Sequence, residues 1–278
     1  MEPKTFFITG ANSGLGLAIT ELAVSRGHKV LGTVRTIEAF DALKKRVPGA
    51  IPVRCDVTEF DTIPGIVAQA EHEHGPVDVL INNAGYGHEG VVEESSIEDL
   101  RRQFDVNVFG AVAVAKAFLP HFRQRRHGLV VNVTSMAGLA GFPGVAFYCG
   151  SKFALQGISE SMRAEMAPFG VQVTAICPGS FRTDWAGRSM VRAERSVADY
   201  DAFFDPIRSA RQERHGRQQG SPAKLAEAIL KLVDLENVPS QLLLGSDAYS
   251  VVSDRIARLQ REIEEWRAVT LSTDGVPE

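Results

Sequence analysis

Long apolar runs are missing from this sequence. The best candidate, residues 106–119, is interrupted by Asn107 and Lys116, short of the ~18 apolar residues that a membrane span requires; it reads as a buried helix, and no membrane span is expected. Cysteine is scarce: Cys55, Cys149 and Cys177 are too few and too scattered for a disulfide framework or a zinc cluster, which points to a reducing compartment. An excess of one charge is lacking too. Thirty basic and 34 acidic residues leave a formal net charge of −4, which gives no general attraction to nucleic acid or anionic membrane and leaves room only for a local basic patch. The first residues, MEPKTFFITG, enter a β-like run at once, without the basic stretch, apolar stretch and cleavage site of a secretory leader, so a cytoplasmic protein is expected.

What is present is ordinary globular composition. Of 278 residues, 44% are hydrophobic and 23% charged, which excludes disordered and collagen-like chains and supplies enough length for a large core. Short β-branched runs recur at residues 5–9 (TFFIT), 30–34 (VLGTV), 77–81 (VDVLI), 129–133 (LVVNV), 171–176 (VQVTAI) and 242–244 (LLL), with an edge strand expected at 51–54. Segments of helical period lie between them. Strands apolar on both faces and alternating with helices predict an α/β fold, a doubly wound parallel sheet covered on both sides. No repeat or linker divides the chain before a tail at 272–278, so a single domain over 1–278 is expected. Residues 186–220 break the pattern: they hold Arg188, Arg192, Arg195, Arg208, Arg211, Arg214 and Arg217 among acids and the aromatics Tyr200, Phe203 and Phe204.

The first strand runs into Gly10, Ala11, Asn12, Ser13, Gly14, Leu15 and Gly16, after which residues 17–25 have helical composition. Glycines at such a junction let the chain turn sharply and let a pyrophosphate approach the N–H groups of the helix N-terminus. A dinucleotide is the natural occupant; the bland alternative is a tight strand-to-helix connection. At the end of the second strand an acid would bond the ribose hydroxyls of NAD and repel the 2′-phosphate of NADP. This strand ends Thr33-Val34-Arg35-Thr36, so Arg35, a planar cationic fork, together with Ser13, favours NADP(H) over NAD(H).

Tyr148 and Lys152 stand four apart, so on a helix they face the same way. A phenol with pKa ~10 exchanges protons poorly at neutral pH, and a nearby ammonium stabilises its anion. Tyr148 then suits general acid and base work. Ser135 ends a strand thirteen residues earlier, where a hydroxyl can hold a substrate carbonyl oxygen; Thr134 and Ser151 are its rivals, although Thr134 should point the other way along the strand.

Taken together, TGANSGLG at 9–16, NNAG at 82–85, Ser135 and YCGSK at 148–152 resemble, in order and spacing, the classical short-chain dehydrogenases/reductases. The resemblance covers roughly residues 4–250, and 148–169 is similar to the branch holding 17β-hydroxysteroid and retinol dehydrogenases. It implies a Rossmann-type fold, with Asp56 and Val57 at the adenine, Asn83, Ala84 and Gly85 closing the adenosine side, and Asn82 supporting the sheet. It further implies that Lys152 holds the nicotinamide ribose while tuning Tyr148, and that Asn107 completes a water-mediated proton relay. Asn107 reads equally as a polar residue satisfying the backbone at a helix irregularity. Pro178, Gly179, Phe181 and Thr183 resemble the family's loop at the nicotinamide. Dimers or tetramers through helices around 100–119 and 153–167 are implied as well.

Other residues are set aside. His72 and His74 beside Glu71 and Glu73 sit at a helix end rather than in a metal site; His88 is placed at the cleft entrance, and Cys149 is a packing residue. Residues 186–220 are expected to form a lid whose charges stay outside while Trp185, Met190, Phe203 and Phe204 cover the substrate; the alternative is an anion site. The C-terminal helix, 247–269, is expected to pack on the core or on a second subunit. The expected activity is NADP(H)-dependent interconversion of a hydrophobic carbonyl and an alcohol. The rival is an NADP(H)-sensing binding protein without turnover.

Overall fold

The structure, a computed structural model, describes residues 2–187 and 189–275. Arg188 of the arginine-rich segment and residues 276–278 of the tail lie outside the described residues. In chain order the strands are β1 (Thr5–Ile8), β2 (Lys29–Val34), β3 (Ala50–Arg54), β4 (Val79–Asn82), β5 (Gly87–Glu89), β6 (Gly128–Val133), β7 (Val171–Pro178), β8 (Met190–Arg192) and β9 (Gln241–Leu244). Seven form one parallel sheet in the order β3-β2-β1-β4-β6-β7-β9, while β5 and β8 pair separately.

Parallel neighbours need crossovers, and helices supply them. The helices are α1 (Gly14–Ser25), α2 (Ile37–Arg46), α3 (Ile63–His74), α4 (Ile97–Phe104), α5 (Ala111–Arg125), α6 (Ala146–Met166), α7 (Asp201–Glu213), α8 (Pro222–Val233) and, after the last strand, α9 (Ser246–Glu265) and α10 (Arg267–Leu271). Successive side chains of a strand point to opposite faces, and β1 illustrates the result. Phe6 and Ile8 enter a core with α1 and α8, whereas Phe7 enters a second core with α3, α5 and α6. Burying each such side chain is worth ~1.5–3 kcal/mol, so both faces of the sheet hold the helices.

The chain leaves β1 for β2 and β3, then returns to place β4 on β1's other flank. That reversal opens a crevice at the carboxyl ends of the strands. The sequence predicts a continuous helix over 106–119; instead residues 105–110 wind as a π-helical turn between α4 and α5. Ala248 and Val252 pack the start of α9 on the body, whereas Ile256, Leu259 and Ile263 are 57%, 42% and 60% exposed and Trp266, in the turn that follows the helix, 60%, so packing on the core holds only for the first turns of this helix. No described helix is long and apolar enough to cross a membrane.

Candidate active site

A cleft of about 1640 Å³ lies over the carboxyl ends of the strands. Its first wall is the turn after β1. Gly10 and Gly14 have φ of +65° and +55°, conformations glycine adopts without steric cost. A Cβ on Gly16 would lie 2.4 Å from both the Gly10 carbonyl and Asn83 Nδ2. Asn83 Nδ2 donates to the carbonyls of Thr9 and Gly10 at 2.9 and 3.2 Å, and Thr9 Oγ1 accepts from the amides of Asn83 and Ala84. The glycine turn is thus held by residues 74 positions away. Ser13 begins α1 with no side-chain cap, and no acid stands in the first turn, so the helix N-terminus keeps amides free for an anion. Asn12, Ser13, Gly14 and Leu15 line the cleft.

Further along the same wall stand Arg35, Asp56, Val57, Ala84 and Gly85. Arg35 follows β2 directly and precedes Thr36, whose hydroxyl caps α2 by accepting from Ala39 N. Asp56 accepts from the amide and hydroxyl of Thr58, and Val57 packs where Gly110 leaves no room for a Cβ. Pro178, Gly179, Phe181 and Thr183 line the cleft as well, with Thr183 against Gly14 of the glycine turn. Gly179 is tight against Asp247, which accepts from Ser180 N at 2.7 Å. The sequence reading missed Thr9 and Asp247, because each acts through a partner far along the chain.

Ser135, Tyr148 and Lys152 come together on the cleft floor. Ser135 follows β6; its hydroxyl accepts from Ala137 N at 3.0 Å and lies 3.4 Å from the Pro178 carbonyl. The rivals point elsewhere. Thr134 Oγ1 donates to the Ile176 carbonyl, and Ser151 Oγ to the Tyr148 carbonyl. Lys152 Nζ lies 5.8 Å from the Tyr148 ring centroid and donates to the Val133 carbonyl at 2.9 Å. Burial pushes the Tyr148 phenol up to about 12, with a hydrogen bond from Ser135 pulling the other way, and burial lowers the Lys152 ammonium to about 8. Desolvation thus keeps the phenol protonated across the neutral range and brings the loss of the Lys152 proton down to about 8.

Asn107 sits in the π-helical turn, where an extra residue per turn re-aims a side chain. Its Oδ1 accepts from Tyr86 N at 3.1 Å, while Nδ2 donates to Tyr86 O and Ser151 Oγ. A Cβ on Gly85 would lie 3.0 Å from Asn107 Oδ1 and 3.6 Å from Lys152 Nζ. Asn107 and Lys152 thus approach the same side of one glycine. Asn82, buried beside them, donates to the Ala111 carbonyl and to Asn132 Oδ1.

The arginine-rich segment differs from its expected form. Only Trp185 of the four named lid residues lines the cleft, tilted over Tyr148 at 5.0 Å between ring centroids. Met190 and Phe204 are buried and Phe203 is 55% exposed; Val191, Ile207 and Ala210 take their place. Nor do the charges all stay outside. Glu89, its side chain fully enclosed, pairs with Arg192, Arg208 and Arg211, and Glu94, equally enclosed, pairs with Arg195. These two carboxylates pin residues 190–213 to the body. Isolated glutamates in β5 and the following turn gave no sign of it in the sequence. His88 is not at the entrance: it is buried and stacked on Phe147. His72 and His74 belong to no metal-ligating group among the described residues.

A doubly wound parallel sheet with a cleft at this crevice defines a protein of the Rossmann type. More particularly, the chain belongs to the short chain dehydrogenase family, whose pattern it matches over residues 4–192. It is 36% identical over 278 residues to "Oxidoreductase BOA17" of Botryotinia fuckeliana, covering 97% of this chain and 99% of that one. The crystal structure of a short-chain dehydrogenase from Streptomyces avermitilis superposes with a TM-score of 0.91 at 38% identity, covering 99% of this chain and all (100%) of the other. A serine dehydrogenase solved in closed form with NADP+ has a TM-score of 0.73 at 25% identity, covering 86% of this chain and 94% of that one. The uncapped glycine turn, which leaves amides free at the start of α1, fits the pyrophosphate of a dinucleotide.

Proposed function

We propose that this protein, through one catalytic domain, interconverts a hydrophobic ketone or aldehyde and the corresponding alcohol, using NADP(H) in preference to NAD(H). The observation that carries the reading is the convergence of Ser135, Tyr148 and Lys152 on the floor of a cleft walled by Phe142, Val145, Trp185, Val191 and Ile207. When bound, the nicotinamide supplies or accepts the hydride. Ser135 donates to the carbonyl oxygen and fixes it beside Tyr148. Tyr148 gives its proton to that oxygen in reduction and takes it back in oxidation. Lys152 stabilises the phenolate and binds the ribose of the cofactor, and Asn107, which approaches the same side of Gly85 as Lys152, positions a water that returns a proton to Lys152. Pro178, Gly179, Phe181 and Thr183 orient the nicotinamide end, and Asp56 and Val57 meet the adenine. Residues 186–220 act as the lid, with Val191 and Ile207 as its apolar underside beside Trp185.

Arg35 beside the N-terminus of α2 supports the cofactor preference, since cation and helix dipole both favour a phosphate. A charge-assisted contact of this kind is worth ~1.5–3 kcal/mol. Arg35→Asp is therefore expected to weaken NADPH binding by about 10–100-fold and to tighten NADH, as read by fluorescence titration. Equal affinities for the two cofactors in the unaltered protein would contradict the assignment.

The reading as a whole is tested by following NADPH and NADH oxidation with aliphatic ketones, aromatic aldehydes, steroids, retinal and 3-oxoacyl thioesters. Turnover of one apolar class with NADPH is expected. Binding of NADPH with no turnover of any carbonyl would favour a cofactor-sensing protein.

A further inference from the structure

We propose, resting on the reading of this cleft as an active site, that the basic end of α7 is an anion subsite and that the carbonyl compound taken there carries an oxyanion, a carboxylate or phosphate, beyond its apolar part. Ile207, Ala210, Arg211 and Arg214 all line the cleft, the spacing that sets residues on one face of a helix. That face begins apolar and ends basic. Arg217, in the next turn, lines the cleft too, and its amide donates to the Arg214 carbonyl at 2.9 Å. Ile207 and Arg214 stand ~10 Å apart along the helix, which leaves room for several apolar carbons before the charge.

What sets these two arginines apart is their lack of an acid. The other described arginines of the segment serve the fold: Arg192, Arg208 and Arg211 pair with Glu89, and Arg195 pairs with Glu94. The guanidinium groups of Arg214 and Arg217 make no ion pair or hydrogen bond among the described residues. Two acids of the cleft near this turn are engaged elsewhere. Asp184 faces His215 at 3.5 Å, and Asp247 accepts from the amides of Ser180 and Ala248. Arg182 holds the turn in place, donating to the carbonyls of Gln218 and Gln219 at 2.7 and 3.1 Å. A helix C-terminus carries about half a negative charge, so two full positive charges leave the site cationic. Guanidinium forks match the oxygens of a carboxylate or phosphate, and the apolar start of the same face covers the rest of the molecule.

The full-length protein saturated with NADP+, so that the glycine turn is filled, is titrated calorimetrically with octanoate, octyl phosphate and the neutral octanamide. At least one of the two anions is expected to bind about 10-fold tighter than the amide, the effect of a hydrogen bond to a charged group. Arg214→Gln/Arg217→Gln is expected to abolish that preference and Arg214→Lys/Arg217→Lys to retain part of it. The same ratio is read in kcat/KM for 8-oxononanoate against its amide. If no carbonyl turns over, the oxidoreductase reading fails, while the titration still decides the subsite. Equal binding of all three probes, or a preference that survives the glutamine variant, would overturn the proposal. A glutamine variant that loses NADPH affinity and keeps the preference would assign the arginines to the phosphates of the cofactor instead. One that only melts at lower temperature would show that they serve the dipole of α7 alone.

Discussion

Tyr148→Phe is expected to lower kcat by about 10²–10⁴-fold, the contribution of a positioned general acid, while NADPH binds with nearly unchanged affinity. The substitution removes one oxygen from a buried ring that keeps its packing against Trp185. A structural role for Tyr148 predicts the reverse pattern, with loss of stability and of cofactor binding. The pH dependence has a definite sign. Burial holds the phenol up to about 12, so the proton needed for reduction is present throughout the neutral range. Lys152, lowered to about 8, loses its charge first, and the reduction rate is expected to fall above that pH. Rapid-mixing measurement of NADPH oxidation from pH 6 to 10 checks this.

Lys152→Met carries the second large effect, and it acts on rate and stability in opposite directions. Removing the ammonium withdraws the charge that favours phenolate, and a loss of ~10²-fold or more in kcat is expected. The folded pKa of Lys152 lies near 8 against an ordinary 10.5, so the folded protein binds this proton more weakly than the unfolded chain does. Its destabilising effect is complete below pH 8 and disappears as pH rises to 10.5. At ~1.4 kcal/mol per pH unit, the stability difference between Lys152→Met and the unaltered protein should move by about 3 kcal/mol across that window, in favour of the unaltered protein. Urea unfolding of both at pH 7 and pH 10.5 measures it. No change in the difference would mean that Lys152 is solvated rather than buried. The Val133 carbonyl, which accepts from Lys152 Nζ, loses its partner at every pH, so that cost cancels in the comparison.

The sheet was legible because its strands are apolar on both faces, and the cleft because glycines and an asparagine run at strand ends have few other uses. The predicted strand at 77–81 starts early: β4 begins at Val79, and Asp78 before it joins Thr5 through its backbone N–H at 2.9 Å and its carboxylate at 2.7 Å. What the pattern could not reveal depends on pairing at long range. β5 and β8, GHE and MVR, are three residues each with no alternation, and they exist because Glu89 gathers arginines from β8 and α7. A run of arginines therefore read as a solvated face. The π-helical turn at 105–110 is likewise invisible in an apolar helix-like run, and Asn107 alone marks it. The apolar stripe of α9 was visible as period, while its exposure was not.

Hydride transfer itself is the central claim, and isotope labelling reads it directly. The protein is incubated with an apolar ketone and NADPH carrying deuterium on one face of nicotinamide C4, and the product is analysed by mass spectrometry for each face in turn. The account predicts an alcohol with one deuterium on the carbinol carbon from one labelled face and none from the other, in the unaltered protein, and almost no alcohol from Tyr148→Phe. NADPH bound in the cleft with no labelled alcohol from either face, across every carbonyl class, would contradict it.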